Sequence, residues 1–321
     1  MVVKAKPKSK PSVDLVIPVF NEQGVVGEFH ARLSRAIAKL PYLFRLIYIN
    51  DGSSDRTQLE LESIAAKDRR VKIIELSRNF GHQAALTAGL DASTADYLIS
   101  LDGDGQHPPE LIPQMLKLAS EGFDIILTKR AEQKDLPFFK KLTSKIFYWA
   151  VNKIGDTFIL PGGADFRLLS KPAVISLQKM GEYHRFLRGM VAWTGYRSTV
   201  LEYAPQERLA GESKYSGKKM VNMAMNAIFS FSLVPLYVSL SIGVLFFVLA
   251  LAEAIYVVSF WVVGRQGELT PGWASLMFMI LILGGSVLSS LGIIGIYIGY
   301  IFQEVKRRPV YLIRKIVPGK N

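Results

Sequence analysis

Cysteine is absent from the 321 residues. That excludes disulfides, thiol nucleophiles and cysteine-ligated metals. Acidic residues are in deficit: 27 Asp and Glu stand against 39 Lys and Arg, a net charge of +12. A basic balance suits nucleic acid, an anionic membrane surface or phosphate-bearing substrates. No stripe of interleaved basic and aromatic residues supports the first of these. Charge of either sign is missing from two long stretches. Residues 230–263 hold one charged residue, Glu253, and residues 273–302 hold none. The N-terminus, residues 1–11, is basic and polar with no apolar run behind it, so it reads as a disordered lead-in and not as a signal peptide.

What is present begins with alternation. Residues 13–20 (VDLVIPVF) form a short apolar, β-branched run, the pattern of a buried parallel strand. Residues 44–50, 71–76, 96–101 and 123–128 repeat it. Helical stretches fall between them, near 23–40, 56–67, 82–92 and 109–121. Strands alternating with helices predict a doubly wound α/β sheet, mostly parallel. Ligands of such sheets bind at the carboxyl ends of the strands. The unusual residues fall there: Asn21 and Glu22, Asp51, and the run from Asp102 to Gln106.

The two apolar stretches each exceed the ~20 residues that span a bilayer. The connector, residues 264–272, is short, so the pair reads as a transmembrane hairpin with both flanks on one side. Lys214, Lys218 and Lys219 precede it, and Lys306, Arg307, Arg308, Arg314 and Lys315 follow it. The positive-inside rule places both flanks in the cytosol. Residues 303–321 read as a basic tail. Residues 136–155 mix aromatic and aliphatic side chains with lysines, which fits an interfacial amphipathic helix or an ordinary surface helix; residues 216–229 read as a juxtamembrane helix. The soluble domain then covers residues 12–215. Gly292, Gly295 and Gly299 share one side of the second span and permit close helix contact, within the hairpin or between subunits. Glu253 reads as a protonated or hydrogen-bonded glutamate at a helix interface, since neither span holds a basic partner; a functional role is the alternative.

Chemistry concentrates after the strands. In Asn50-Asp51-Gly52-Ser53-Ser54-Asp55, Asp55 suits a helix N-cap and Gly52 a turn. Neither role explains Asp51, which should face the crevice and accept hydrogen bonds from a base or ribose. In Leu101-Asp102-Gly103-Asp104-Gly105-Gln106-His107-Pro108-Pro109, two carboxylates one residue apart repel each other. A divalent cation beside them, Mg²⁺ or Mn²⁺, relieves that and would bridge a diphosphate.

The combination PVFNE, NDGSSD and LDGDGQHPP resembles the nucleotide-sugar-binding half of glycosyltransferase family 2, with its GT-A fold. NFGHQ from Asn79, GADFRLL from Gly163, RFLRG from Arg185 and RLAGESKY from Arg208 resemble its polyprenyl-phosphate branch, as does the two-span tail. The likeness is to bacterial GtrB-type glucosyltransferases, which charge undecaprenyl phosphate, with dolichyl-phosphate mannose synthase a more distant relative. The resemblance implies that Pro18, Asn21, Glu22 and Asp51 hold the nucleoside. It implies that Asp102, Asp104 and Gln106 surround the metal and diphosphate, and that Asp165 sits near the acceptor. Arg208, Ser213 and Lys214, with Arg185 and Arg188 ranked below them, would bind the acceptor's phosphate. His82 and His107 read as helix-terminus or loop histidines with no metal role. Asn50 stands where many relatives have Asp, a mild change if Asp51 makes the base contact. Gly103 and Gly105 stand where Ala and Leu are common, which implies a looser metal loop.

The reaction implied is inverting transfer of a hexose, glucose from UDP-glucose, to undecaprenyl phosphate at the bacterial inner membrane. GDP-mannose, UDP-GlcNAc and UDP-galactose are alternative donors, and a homo-oligomer is expected. A lipid phosphate is already largely ionised near neutral pH, so a strong general base is less needed, and Asp165 reads either as an orienting or charge-stabilising carboxylate or as a general base. Three competing readings are weaker. A processive polysaccharide synthase would carry a Q-x-x-R-W motif and more spans. A non-catalytic nucleotide-sugar sensor could lose one of Asp102 and Asp104 freely. Nucleic-acid binding lacks its basic and aromatic stripe.

Overall fold

The computed structural model describes residues 10–131, 160–204, 233–264 and 272–319. The chain divides into two units, residues 1–226 with 309–321, and residues 227–308. The first is built on an eight-stranded sheet in the order β7-β5-β6-β4-β1-β2-β3-β8. Its strands are β1 (Ser12–Val19), β2 (Leu43–Asn50), β3 (Val71–Leu76), β4 (Tyr97–Ser100), β5 (Ile125–Arg130), β6 (Gly163–Ser170), β7 (Ser198–Tyr203) and β8 (Ile313–Val317). The first five lie within a few residues of where the apolar runs predict them.

Central β1 is buried on both faces, which is why its apolar run is nearly continuous. One face meets helix α1 (Val26–Ile37), whose Val26, Phe29, Leu33 and Ile37 recur at helical spacing and are fully buried. Truncating Phe29 to alanine there should cost about 3–5 kcal/mol. The other face meets α3 (His82–Asp91). That helix approaches closely because it is built of small residues: a Cβ on Gly89 would lie 2.1 Å from Val16 Cγ1. Helices α2 (Thr57–Lys67) and α4 (Ile112–Ser120), the latter entered by a 3₁₀ turn at Pro109–Leu111, complete the expected set. Helices α5 (Lys171–Lys179) and α6 (Leu187–Trp193) follow β6.

Two strands run against the rest. β6 is antiparallel to both neighbours, β4 and β5. Its first residues therefore lie beside the carboxyl ends of those strands, with Ser100 opposite Arg167 and Lys129 opposite Gly163. This reversal brings the GADFRLL segment to the ligand-binding edge. β8 corrects the reading of residues 303–321 as a tail. It pairs antiparallel with β3, and Ser77 N donates to Leu312 O at 2.8 Å. The run Ile313–Val317 has no clean strand alternation, and its basic residues obscured the strand.

The second unit contains α7 (Val234–Val262) and α8 (Trp273–Val305). At 29 and 33 residues each is long enough, and apolar enough, to cross a membrane. Ser239 Oγ of α7 donates to Ser290 Oγ of α8 at 2.6 Å. Gly292, Gly295 and Gly299 do not make the seam: a Cβ on any of them would meet nothing within 4 Å among the described residues. The side chain of Glu253 and the predicted helices at 136–155 and 216–229 lie outside the described residues.

Candidate active site

The loops after β1 and β2 are laced together by their own polar side chains. Asn21, at φ +52°, accepts from Ser54 N at 2.9 Å through Oδ1, and its own N–H donates to Ser53 Oγ at 3.0 Å. Asparagine is one of the few residues that visits this left-handed region routinely. Glu22 N donates to Thr57 Oγ1 at 2.9 Å. Asp55 accepts from Thr57 N at 3.0 Å from one residue before the helix N-cap, which is Arg56 and not Asp55. Asn50 bridges Ser53 N and Gln58, so it serves the loop.

Asp51 turns toward the neighbouring loop. Its Oδ1 accepts from Phe80 N at 2.8 Å and its Oδ2 from Gly81 N at 2.9 Å. Burial pushes its carboxyl up, and these two N–H groups with the charges of His82 and Arg78 oppose the rise. Asp51 thus shapes the loop of residues 78–81, where the Arg78 guanidinium lies 4.2 Å from the Phe80 ring centre. Pro18 lies in β1, its carbonyl 3.4 Å from where a Cβ on Gly103 would stand.

The acidic loop after β4 is tight, which corrects the expectation of a looser one. A Cβ on Gly103 would lie 2.7 Å from Val19 Cγ1. Gly105 takes φ +80°. Asp102 N donates to His107 Nδ1 at 2.9 Å, and Gln106 N donates to Asp104 Oδ1 at 3.0 Å. The glycines fit close contact and a positive φ, and so permit a compact turn. Gln106 Oε1 accepts from Arg130 Nη2 at 3.3 Å, so its oxygen faces a guanidinium.

Asp165, on β6, is 5% exposed and closely surrounded by cations. Arg167 Nη2 donates to its Oδ1, and Arg188 donates through Nε at 3.1 Å and Nη2 at 2.9 Å. His82 Nε2 stands 3.4 Å from Asp165 and 3.5 Å from Asp102. Burial alone would raise the Asp165 carboxyl, but Arg188, Arg167 and His82 outweigh it and hold the group well below the usual carboxylate range. Burial likewise opposes charge on His82, yet Asp102 and Asp165 lift its pKa to about 9. An ionised, cation-bound Asp165 is a poor proton acceptor and a good fixed charge.

Structure thus joins Asp102, Asp104, Gln106 and Asp165 at one edge, with Asn21, Glu22 and Asp51 in the adjoining loops. Arg185 is not brought there: its Nη2 donates to Met180 O at 2.7 Å and its Nη1 is 3.8 Å from Asp91. Arg208, Ser213 and Lys214 lie outside the described residues. Sequence reasoning gave no role to Arg130 and Arg167, set His82 aside as a helix-terminus or loop histidine, and ranked Arg188 low beside Arg185. Strand periodicity could have found Arg167, two residues from Asp165 on the same face. Arg188 lies in the RFLRG motif, but nothing in that motif directs it to Asp165.

A carboxylate-lined edge of a mostly parallel α/β sheet, closed by one reversed strand, is the GT-A arrangement of a glycosyltransferase. Residues 14–171 match the family described as glycosyl transferase family 2. An uncharacterized glycosyltransferase of Synechocystis is 38% identical over 301 residues, covering 94% of this chain and 94% of that protein. A prophage-derived bactoprenol glucosyl transferase of Shigella flexneri is 37% identical over 306 residues, covering 94% and 97%. Among solved structures, glucosyl-3-phosphoglycerate synthase from Mycobacterium tuberculosis, in complex with Mn²⁺, UDP-glucose and phosphoglyceric acid, aligns at TM-score 0.44 and 17% identity, covering 69% and 79%. The chain belongs to glycosyltransferase family 2 and is a glycosyltransferase.

Proposed function

We propose that the enzyme transfers a hexose, glucose from UDP-glucose, to undecaprenyl phosphate with inversion, at the cytosolic face of the bacterial inner membrane. One observation carries the reading: a single imidazole, His82, links Asp102 of the donor-side loop to Asp165 of the acceptor-side strand, at 3.5 and 3.4 Å. This contact supports reading the loop and the strand as two halves of one transfer site. Relatives named bactoprenol glucosyl transferases, 34–37% identical over nearly their whole length, support the acceptor and the sugar.

A phosphate oxygen of the acceptor attacks the anomeric carbon as the bond from that carbon to the diphosphate breaks, and UDP leaves with the electron pair. A single displacement inverts the centre. Asp102 and Asp104 would hold Mg²⁺ or Mn²⁺. The fit rests on Asp102 Oδ1, which is buried and has no hydrogen-bond partner among the described residues, although His82 Nε2 stands 3.5 Å from it. No group of three or more His, Asp or Glu side chains that could hold a metal ion occurs among them, so diphosphate and water oxygens would complete the shell. Bound there, the ion would neutralise charge gathering on the leaving diphosphate. Asp165, kept ionised by Arg188 and Arg167, stabilises positive charge on the sugar and orients the acceptor. Arg208, Ser213 and Lys214 are assigned to the lipid phosphate.

Both flanks of the helix pair belong to one sheet, since β7 precedes it and β8 follows it. An even number of crossings fits that connection, and Lys306, Arg307 and Arg308 support a cytosolic side for both flanks. The open glycine side of α8 supports a homo-oligomer.

The test is transfer of radiolabel from a panel of nucleotide-sugars into organic-extractable lipid by purified protein with undecaprenyl phosphate and Mg²⁺ or Mn²⁺. Label from UDP-glucose, lost with Asp104→Ala and with EDTA, is the expected result. Label from another donor would replace the sugar; no transfer with intact nucleotide binding would overturn the reading.

A further inference from the structure

The imidazole of His107 is fully buried, stacked on Phe166 at 5.3 Å between ring centres and set edge-on to Tyr203 at 6.1 Å. As packing, a phenylalanine would serve as well. The histidine does one thing a phenylalanine cannot: its Nδ1 accepts the backbone N–H of Asp102 at 2.9 Å. Leu101 N still donates to Val16 O, so Asp102 is the first residue past the ladder of β4, and its N–H has left the sheet. Nδ1 accepts, so the proton of the neutral ring sits on Nε2, which is buried with no partner among the described residues. An unmet buried N–H costs stability. A ring that carries this cost makes sense if its other nitrogen is needed.

We infer that His107 is a positioning residue of the cation site, an inference that rests on the divalent-ion reading above. It fixes the backbone of Asp102 and hence the direction in which that carboxylate leaves β4. Asp102 Oδ2 lies 3.6 Å from the same Nδ1. The lone pair there is taken by the Asp102 N–H, so this nitrogen offers the carboxylate no proton. His107 itself touches neither ion nor substrate.

Two substitutions separate acceptor from ring. His107→Phe keeps the stack and loses the acceptor; His107→Asn loses the ring and keeps an oxygen near the place of Nδ1. Mn²⁺ binding to the full-length protein in detergent, with UDP present, is followed by electron paramagnetic resonance beside the melting temperature. The expected result is a Kd for Mn²⁺ raised about 10- to 100-fold in His107→Phe, the usual loss for an outer-shell partner. His107→Asn should melt lower yet bind Mn²⁺ close to wild type. A purely structural ring predicts the reverse order. Should His107→Asn not fold, His107→Phe against wild type decides; should His107→Phe not fold, His107→Met takes its place. Wild-type protein without Mn²⁺ binding would overturn the divalent-ion reading itself. Wild type that binds, with an unchanged Kd in the acceptor-less variant, would overturn only the role of His107.

Discussion

Arg188 on α6 grips Asp165 on β6 with two nitrogens, Nε at 3.1 Å and Nη2 at 2.9 Å. Arg167 holds the same carboxylate from within the strand. The two arginines differ in exposure: the Arg167 side chain is 4% exposed and the Arg188 side chain 25%. Their loss should differ accordingly. Asp165→Asn strips the charge from a buried partner and should destabilise the protein by about 3–5 kcal/mol. Arg188→Ala leaves Arg167 in place, so the fold should persist while a displaced carboxylate lowers kcat by about 10²-fold. Thermal unfolding beside transfer assays checks both. Equal damage to stability and rate in Arg188→Ala would refute the division.

His30 should make stability depend on pH. Its ring lies between Tyr48 Oη at 3.0 Å and Asp68 at 3.4 Å, with Arg70 bound to the same Asp68. Burial lowers its pKa below 6.5, Arg70 adds to that, and Asp68 opposes without cancelling it. The unfolded chain therefore binds a proton that the folded protein refuses. This contribution is present above pH 6.5 and is lost as pH falls through the lowered value. Melting curves between pH 8 and about 5 should fall more steeply for wild type than for His30→Gln. Identical slopes would remove His30 from the account.

Much of this was legible in the chain because parallel strands buried on both faces read as apolar runs. β1 to β5 and the loops after β1, β2 and β4 follow directly from that pattern. β6 was noticed only as the motif GADFRLL, because strand direction leaves no local mark; reversal is a property of the neighbours it finds. Its reversal sets Asp165 across from Asp102, and α6 adds Arg188, so the cation cage stayed hidden. β8 was hidden for a different reason. Arg314 and Lys315 look like membrane-surface charges until Glu75, at 3.2 Å, and Glu62, at 2.8 Å, are found opposite them.

That returning segment should matter to the loop assigned above to the nucleotide. Tyr311 Oη donates to Asp91 Oδ2 at 3.0 Å, and Leu312 O takes the N–H of Ser77, one residue before the segment that Asp51 holds. Tyr311→Phe removes one exposed hydrogen bond and should cost about 1 kcal/mol. Deleting residues 311–321 removes the whole edge strand, and should lower both the melting temperature and the affinity for UDP. A truncated enzyme that binds UDP as tightly as the intact one would show that β8 stabilises the sheet without shaping the loop.

Gly52 offers the sharpest test of that loop. It sits at φ +67°, and a Cβ there would stand 2.4 Å from the carbonyl carbon of Arg78 and 2.6 Å from Asn79 N. Asp51, next in the chain, draws in the same strip through the N–H groups of Phe80 and Gly81. Gly52→Ala would thus push outward on backbone that its neighbour pulls inward. Strain of this kind costs about 1–3 kcal/mol, which as lost UDP affinity is about 10- to 100-fold. Gly24→Ala separates collision from conformation, because Gly24 is also left-handed, at φ +80°, but a Cβ there meets nothing within 4 Å. It should lower the melting temperature and leave UDP binding near wild type by calorimetry. Were both substitutions to weaken UDP equally, the approach of Gly52 to Arg78 would not be what sets the nucleotide loop.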